Sequence, residues 1–304
     1  MAYNRKYKLK ITYLKLVGTK VQDVGTPIVI TDPITIRFDV KREPWAGACT
    51  ATIDIYNLEP ATRKKLFLDY YSYKEEGGMR KVELYAGYED NKYGLIYRGF
   101  IKTCLTRQEH TETITTIDSF SGLYVFDSFI TESIGTAESE ENITKTISSD
   151  MIGVTNGVQS FDKKSTTRPP AFLGNAIAVL KTYTGGNAIV DNNELIVIGE
   201  DEAIEGYVRV IDDETGLLGC PQRMDRSVKV NCMFEPRIVV GQAIEIKSKI
   251  EPTFDGQYKV WGVSHSGMMG LAASGQCVTT VTLWTGFQLF GRFKPSFNKV
   301  KGSA

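Results

Sequence analysis

The sequence predicts a mainly β protein with a smaller α+β region in its middle. Apolar and polar residues alternate in short runs along residues 1–120 and again along 206–286, as they do in half-buried strands. In residues 121–205 the apolar residues instead recur at three- and four-residue spacing, which is typical of helices. The number and spacing of the runs in the first region favour a barrel or a sandwich.

Six alternating runs make up the first region. In the earliest run, Tyr7, Leu9 and Ile11 alternate with lysine and threonine, so one face of the predicted strand is apolar. The six runs cover residues 7–13, 34–40, 50–56, 82–86, 95–101 and 111–118.

One short helix interrupts these strands. The stretch 51–66 reads ATIDIYNLEPATRKKL; it begins as a strand and turns at Asn57 and Leu58. Pro60 suits the first turn of a helix, where its missing N–H costs little. We therefore predict a helix at about 60–70 that covers an edge of the strands.

The middle region, 121–205, predicts two helices and a hairpin. Ser139 is the expected N-cap of the first helix, which Gly153 ends. The apolar faces of the two helices are Ile143, Ile147 and Met151, then Leu173, Ile177 and Leu180. Residues 188–190 and 195–198 form the predicted hairpin, with Asp191, Asn192 and Asn193 at its turn.

The third region, 206–286, returns to strands, and a basic arm of loosely patterned residues follows at 287–304. The runs are 228–233, 243–250, 257–264 and 278–284. A stretch that starts at Glu83 resembles one that starts at Glu245. The matching pairs are Glu83 and Glu245, Glu89 and Glu251, Gly94 and Gly256, and, after one insertion, Gly99 and Gly262. These matches raise the hypothesis that one strand-rich unit was duplicated.

The charges balance overall but are unevenly placed. The chain has 36 basic and 36 acidic residues, so nothing pulls it as a whole toward nucleic acid or an anionic membrane. Residues 1–20 hold six basic residues and no acid, whereas 191–214 hold nine acids and Arg209 as the one basic residue. If the acidic run faced a lumen, it would keep DNA from adhering there.

Neither a membrane span nor a disulfide framework is expected. No segment reaches the roughly 20 apolar residues of a membrane helix, and the basic N-terminus lacks the apolar core of a secretion signal. The five cysteines are scattered, which indicates free thiols in a reducing cytosol.

The residue patterns predict no catalytic residue, no metal site and no cofactor. Of the two histidines, His110 lies in a polar turn, and His265 is expected at the end of a strand before a flexible loop. The sequence around His265 has one residue too many for a nucleophile elbow. Closely spaced zinc ligands and phosphate-binding glycine motifs are both missing from the sequence. Exposed aromatic clusters are instead expected to mark interfaces, at Tyr70, Tyr71, Tyr73, Phe287, Phe290, Phe293 and Phe297.

Four stretches together resemble the central hub protein of contractile-tailed phage baseplates, a family akin to the base of the type VI secretion spike. They are 55–66, with Asn57, Leu58 and Pro60; 82–101, with Gly87, Tyr88 and Gly99; 215–221, with Gly216 and Leu217; and 236–265, with Gly241. The nine residues just named are our candidates for interface or fold-defining positions.

The resemblance implies a fold of two tail-tube-like β-barrels, at 1–120 and 206–286, that flank the small α+β domain. It implies a homotrimeric ring that joins a six-fold tail tube to a three-fold spike and leaves a lumen through which DNA passes without specific binding. The implied partners are the tail tube or tube-initiator protein and the spike protein, with the tape measure protein and the baseplate wedge as further contacts. The implied location is the virion baseplate, assembled in the host cytoplasm, with no enzymatic activity.

Two other functions stay open at this point. A tail-associated peptidoglycan hydrolase could use carboxylates that sequence spacing does not reveal. A glycan-binding β-sandwich module could use exposed aromatic side chains to stack on sugars.

Overall fold

A computed structural model describes residues 4–18, 20–45, 49–72, 78–88, 92–133, 138–161, 171–270, 275–284 and 298–300. The described residues are mainly β, as the sequence predicts, and form nineteen strands and three α-helices. Predictions for Tyr73, Phe287, Phe290, Phe293 and Phe297 fall outside the described residues.

The described part of the first region contains seven strands and one helix. They are β1 (Arg5–Val17), β2 (Lys20–Ile30), β3 (Ile36–Arg42), β4 (Thr50–Tyr56), α1 (Pro60–Leu66), β5 (Arg80–Tyr88), β6 (Lys92–Glu109) and β7 (Glu112–Phe120). The sequence did not predict β2, because this edge strand is mostly exposed and has no apolar face. Helix α1 ends earlier than the predicted 60–70, since Leu68 pairs with Cys104 in a β-bridge.

The middle region combines short strands with two helices. It holds a 3-10 turn (Leu123–Asp127), β8 (Phe129–Ser133), α2 (Glu140–Ser149), β9 (Thr155–Gln159), β10 (Ala171–Asn175), α3 (Ala176–Tyr183), β11 (Ala188–Asp191) and β12 (Glu194–Val197). Ser139 caps α2 as predicted, and its side chain accepts a hydrogen bond from the amide of Asn142. Leu173 was wrongly assigned to a helix; it lies in β10 and is exposed.

The described part of the last region contains seven further strands. They are β13 (Glu202–Ile211), β14 (Leu217–Arg223), β15 (Ser227–Met233), β16 (Gln242–Ile246), β17 (Gly256–Met269), β18 (Val278–Trp284) and β19 (Asn298–Val300). The expected strand end at His265 is wrong, because β17 runs on to Met269. Within the predicted arm, β19 pairs in parallel with β13 of the same chain, so this part of the arm is folded.

The strand order repeats along one large sheet. The antiparallel series β3-β4-β7-β6-β5, called here the first repeat, recurs as β14-β15-β18-β17-β16, the second repeat. The repeats differ at one flank, because β1 runs antiparallel to β5 whereas β13 runs parallel to β16. This recurrence supports the duplication hypothesis. The pairing of the described strands does not close either repeat, so the two barrels stay a prediction.

Four hydrophobic clusters fill the described part of the molecule, and three of them cross regional boundaries. The cluster of the first repeat includes Phe234, Met269 and Cys277 from the last region. The cluster of the second repeat includes Ile189 and Ile196 from the β11–β12 hairpin. Helices α2 and α3 pack over that hairpin in a third cluster. The fourth cluster joins Leu14 and Phe100 of the first region to Leu123 and Tyr124 of the middle region. The three regions are thus packed against one another rather than strung along the chain.

Position 99 must be glycine because the side chain of Tyr97, on the same strand, occupies the space that a Cβ would need. Tyr97 is fully buried, and its hydroxyl lies 3.0 Å from the Ser119 hydroxyl. A Cβ at position 99 would lie 2.7 Å from Cζ of Tyr97 and 2.8 Å from Oγ of Ser119. Any side chain at Gly99 would therefore displace the ring and break its hydrogen bond.

We expect Gly99→Ala to lower the free energy of unfolding by roughly 1–3 kcal/mol, because overpacking forces Tyr97 out of its site. Chemical denaturation of the purified chain measures this. Gly206→Ala is the matched control, since a Cβ at this β13 position would meet open space. Equal losses for the two variants would contradict the packing argument.

Candidate assembly interface

Most of the nine candidate positions lie inside the molecule. Asn57 and Pro60 are exposed. The other seven, which are Leu58, Gly87, Tyr88, Gly99, Gly216, Leu217 and Gly241, are buried. Their burial favours a fold-defining role over direct contact with a partner.

Asn57 ends the strand pair β4–β7. Its backbone has a left-handed φ of 53°, which asparagine tolerates better than most residues. Its amide donates to the Thr113 carbonyl over 2.7 Å, and its side-chain oxygen accepts from the Thr113 amide over 3.0 Å. Leu58 then enters the first cluster and Pro60 opens α1. The turn thus fixes where the helix leaves the sheet.

Tyr88 connects the two repeats. Its ring packs edge-on against Phe234 with centroids 6.2 Å apart, and Phe234 makes the same kind of contact with Phe38 at 6.0 Å. Gly87 precedes it in β5 and pairs with Lys6 and Tyr93.

The remaining candidates shape the second repeat. Gly241 has φ 84°, and a Cβ there would lie 2.7 Å from a methyl group of Ile198. Gly216 has φ 116° and packs against Met233. Leu217 belongs to the second cluster.

The turn of the β11–β12 hairpin attaches the middle region to the first repeat. Asn192 and Asn193 have φ of 52° and 60°, as a two-residue hairpin turn requires. The side-chain oxygen of Asn192 accepts from the amide of Arg98 over 2.8 Å, and that of Asn193 accepts from the amide of Gly122 over 2.7 Å. The predicted turn is therefore also a docking element.

A buried ion pair lies beside this turn. The Arg42 guanidinium donates to both carboxylate oxygens of Asp191, over 2.9 and 2.5 Å, and each residue is only 2% exposed. Burial alone would lower the pKa of Arg42, but the facing Asp191 carboxylate raises it, so the guanidinium stays charged. The paired geometry offsets the cost of burying both charges.

A second ion-pair network is centred on the buried carboxylate of Glu83. Glu83 accepts from Arg98 over 2.9 Å and pairs with Lys10 over 3.3 Å, while Arg98 also reaches Glu194 over 3.4 Å. Asp191 and Glu194 both belong to the acidic run 191–214. Because Asp191 is buried, that run does not form one continuous acidic surface.

His265 is buried where the two repeats meet. Its Nδ1 lies 3.0 Å from the Thr279 hydroxyl, and its ring packs on Phe234. Burial, helped by the positive charge of Arg42, lowers the pKa of His265 to about 3. The imidazole is therefore uncharged at neutral pH and is shielded from solvent.

All three tryptophans of the chain gather beside Lys259. Trp261 stacks on Trp284 with centroids 4.0 Å apart and on Trp45 at 5.0 Å. The Lys259 ammonium lies 5.3 Å from the Trp45 ring centre and donates to the Gly199 carbonyl over 2.6 Å. Burial lowers the pKa of Lys259 to about 8, although nearby acids, Glu202 first, oppose the shift.

Within the described ranges, no group of three or more His, Cys, Asp or Glu side chains could hold a metal ion. The part of the chain that is described also contains no helix with the length and apolar character that a membrane crossing needs. Four cysteines are buried, and burial raises the pKa of Cys104 and Cys232 to about 12. Cys220, in β14, is the exposed one.

The sequence matches the family described as "Baseplate hub gp41" over residues 15–266. The chain belongs to the baseplate hub gp41 family. It is therefore a structural component of a phage tail baseplate, and so of the virion. The comparison with curated proteins found no match.

Solved structures with a similar fold cover nearly the whole chain. The tail protein from Neisseria meningitidis MC58 aligns with a TM-score of 0.58 at 9% identity, covering 93% of this chain and 97% of that one. The 43 kDa tail protein of prophage MuSo2 from Shewanella oneidensis aligns at 0.56 and 5% identity, covering 91% and 98%. An Escherichia coli type VI secretion component, described as similar to the T4 bacteriophage tail proteins gp27 and gp5, aligns at 0.54 and 11%, covering 88% and 77%. At these identities the likeness shows the fold alone.

The apolar surface of this hub-family chain lies mainly away from the nine candidate positions. After α1, Phe67, Tyr70 and Tyr71 are 58%, 60% and 84% exposed. On the β8–β10 ribbon, Phe129 and Leu173 are also exposed. The sequence indicated Tyr70 and Tyr71 through their clustering, whereas Phe129 and Leu173 stand in runs that look like ordinary core positions.

We expect Asp191→Asn to lower the free energy of unfolding by about 3–5 kcal/mol, because it leaves the Arg42 charge buried without its partner. Asp39→Asn is the matched control: it removes an exposed carboxylate that lies 3.7 Å from Lys41, and should change stability by about 0.5 kcal/mol or less. Urea unfolding curves of both variants test this. A loss for Asp191→Asn no larger than the control would refute the role of the pair.

Lys259 should make stability depend on alkaline pH. The folded chain releases this proton near pH 8, whereas the unfolded chain holds it until near the ordinary value of 10.5. Because the unfolded state then binds more protons, the free energy of unfolding rises with pH between these values, by up to about 3 kcal/mol. Lys259→Met should lack that rise. Parallel pH profiles for the two proteins would count against this assignment.

Proposed function

We propose that the chain is the central hub of a contractile phage tail, in which three copies form a ring between the six-fold tail tube and the three-fold spike. The observation that carries this proposal is the family match over residues 15–266. The fold supports it, since its likeness to two tail proteins and to a type VI secretion component extends over most of the chain.

The internal repeat supports the change of symmetry. Each chain carries the same five-strand series twice, joined in one sheet. In our proposal each repeat curls into one tail-tube-like barrel, so that three chains present six barrels to the tube. The differences between the two repeats leave the opposite face three-fold, which suits a spike.

The partners follow from that position. The tube or tube-initiator protein sits on the six-fold face and the spike protein on the three-fold face, with the tape measure protein and the baseplate wedge as further contacts. DNA passes through the central lumen without specific binding, in keeping with the absence of net charge on the whole chain. Assembly takes place in the host cytoplasm, and the hub itself performs no catalysis.

Electron microscopy of the purified chain, with mass measurement in solution, tests the proposal. We expect three-copy rings with an open centre, and stacking of tube protein on one face when it is added. A chain that stays monomeric at high concentration and joins neither tube nor spike protein would overturn the proposal. A monomer that clears peptidoglycan, with the clearing abolished by carboxylate substitutions, would favour the hydrolase alternative.

A further inference from the structure

The antiparallel contact between β3 and β17 joins the two repeats, and His265 lies within it. Residues Ile36–Arg42 of β3 pair with Val263–Met269 of β17 in an unbroken register. The backbone of His265 faces Val40 of β3 on one side and Thr279 of β18 on the other. Its side chain is fully buried, so a change in the imidazole acts directly on the contact between the repeats.

The imidazole of His265 is packed among aromatic side chains from both repeats. Its ring meets Phe234 edge-on, with the two centroids 5.5 Å apart. Phe234 in turn contacts Phe38 of β3 and Tyr88 of β5, which belong to the first repeat. All four side chains are buried, so the imidazole reaches water only when the strands around it move apart.

One of the two nitrogens of this ring has a hydrogen-bond partner. Nδ1 of His265 lies 3.0 Å from the hydroxyl oxygen of Thr279, which also accepts from the amide of Glu235 over 2.9 Å. Nε2 is buried and has no partner among the described residues. A neutral imidazole has one donor and one acceptor, whereas an imidazolium ion has two donors. Protonation in place would therefore bury a charged N–H without an acceptor, whichever nitrogen takes the proton.

The charges around His265 oppose its protonation. The charged group that acts on it is Arg42, whose charge is also positive. Glu235 follows Phe234 in the chain, but Arg209 and Arg237 engage its carboxylate, each over 3.1 Å.

The other groups on neighbouring elements do not offset a positive charge at this site. Three buried groups are uncharged at neutral and acidic pH, because burial raises the pKa of each; they are Tyr88, Cys232 and Cys277. The remaining charged residues of β3 lie on the opposite, exposed face of the sheet; they are Arg37, Asp39 and Lys41. The described surroundings of His265 therefore suit the neutral ring alone.

We propose that His265 is a pH-sensitive lock on the contact between the two repeats. While the ring is uncharged, it stays buried and β17 stays paired with β3. In acid, the form that takes up a proton is one in which the two strands have separated and the ring meets water. Acid therefore shifts the population toward an open chain whose repeats are no longer joined by this pairing. The lock lies within one chain, so it goes beyond the proposed ring and does not depend on it.

The pH range of the lock follows from the two states of the ring. In water histidine has its ordinary pKa of 6.5, whereas in the closed chain the pKa of His265 is about 3. Between these values the open form binds a proton that the closed form does not bind. The equilibrium constant for opening therefore rises about tenfold for each pH unit that the pH falls.

Hydrogen exchange of the purified chain, followed by mass spectrometry, tests the lock. At about pH 4.5, two units below the ordinary pKa, backbone amides of 36–42 and 263–269 should be about a hundredfold less protected than at neutral pH. Each value is corrected for the intrinsic exchange rate at its pH. Peptides from α2 should lose much less protection, because this helix packs in the third cluster.

Two histidine variants assign the effect. His265→Gln has a side chain that can hydrogen-bond to Thr279 but cannot take up a proton, so the hundredfold loss should disappear. His110→Asn is the matched control, since it removes the other histidine of the chain. His110 is exposed between β6 and β7 and has φ 55°, which asparagine tolerates. This variant should lose protection as the natural chain does.

The natural chain provides a second measurement if His265→Gln does not fold. The NMR signal of the His265 ring should keep its neutral position for as long as the amides of residues 263–269 stay protected. A ring that takes up a proton near the ordinary pKa, while those amides remain protected, would overturn the lock. Unchanged protection of 36–42 and 263–269 on acidification would also overturn it, as would an equal loss in His265→Gln and the natural chain.

Discussion

The buried guanidinium of Arg42 is the constraint on which the arrangement of the three regions depends. Arg42 ends β3, where its backbone pairs with Val263 at one end of the antiparallel contact between β3 and β17, which joins the two repeats and is called here the seam. Its side chain holds Asp191 of the middle region. One residue thus belongs at once to the first repeat, to the seam and to the docking site of the hairpin. If any of the three parts shifted, the buried charge of Arg42 would lose its partner Asp191, which would be strongly destabilising.

The supporting contacts are directional in the same way. The hairpin turn is held by side-chain oxygens that accept from backbone amides of Arg98 and Gly122, and not by apolar packing alone. Apolar surfaces can slip against one another at little cost, whereas hydrogen bonds in a fixed geometry cannot. Tyr88, Phe234 and Phe38 then fill the space behind the seam. The middle region is therefore held against the sheet in a single orientation.

Much of the fold could be predicted because alternation along a strand is a local signal. The burial of Ile36, Phe38 and Val40 and of Ile53 and Ile55 follows directly from it. Arg42 continues the same alternation, but a charged residue at the end of a strand reads as exposed, and its partner Asp191 reads as an ordinary turn acid. The seam between β3 and β17 joins residues more than two hundred positions apart, and no local pattern reports such a pairing. Strand β2 was missed for the opposite reason, since an edge strand in contact with solvent has no apolar face to reveal it.

In the proposed ring, the direction of the strand that flanks each repeat would decide which symmetry a bound partner meets. Strand β1 runs against β5, whereas β13 runs with β16. Around the proposed ring, the rim built from these flanks would alternate between an antiparallel and a parallel strand pair. The shared five-strand series would repeat at every sixth of a turn. A partner that contacts the shared strands would meet six equivalent surfaces, and one that contacts the flanks would meet three. One polypeptide would then present six-fold symmetry at one set of strands and three-fold symmetry at another.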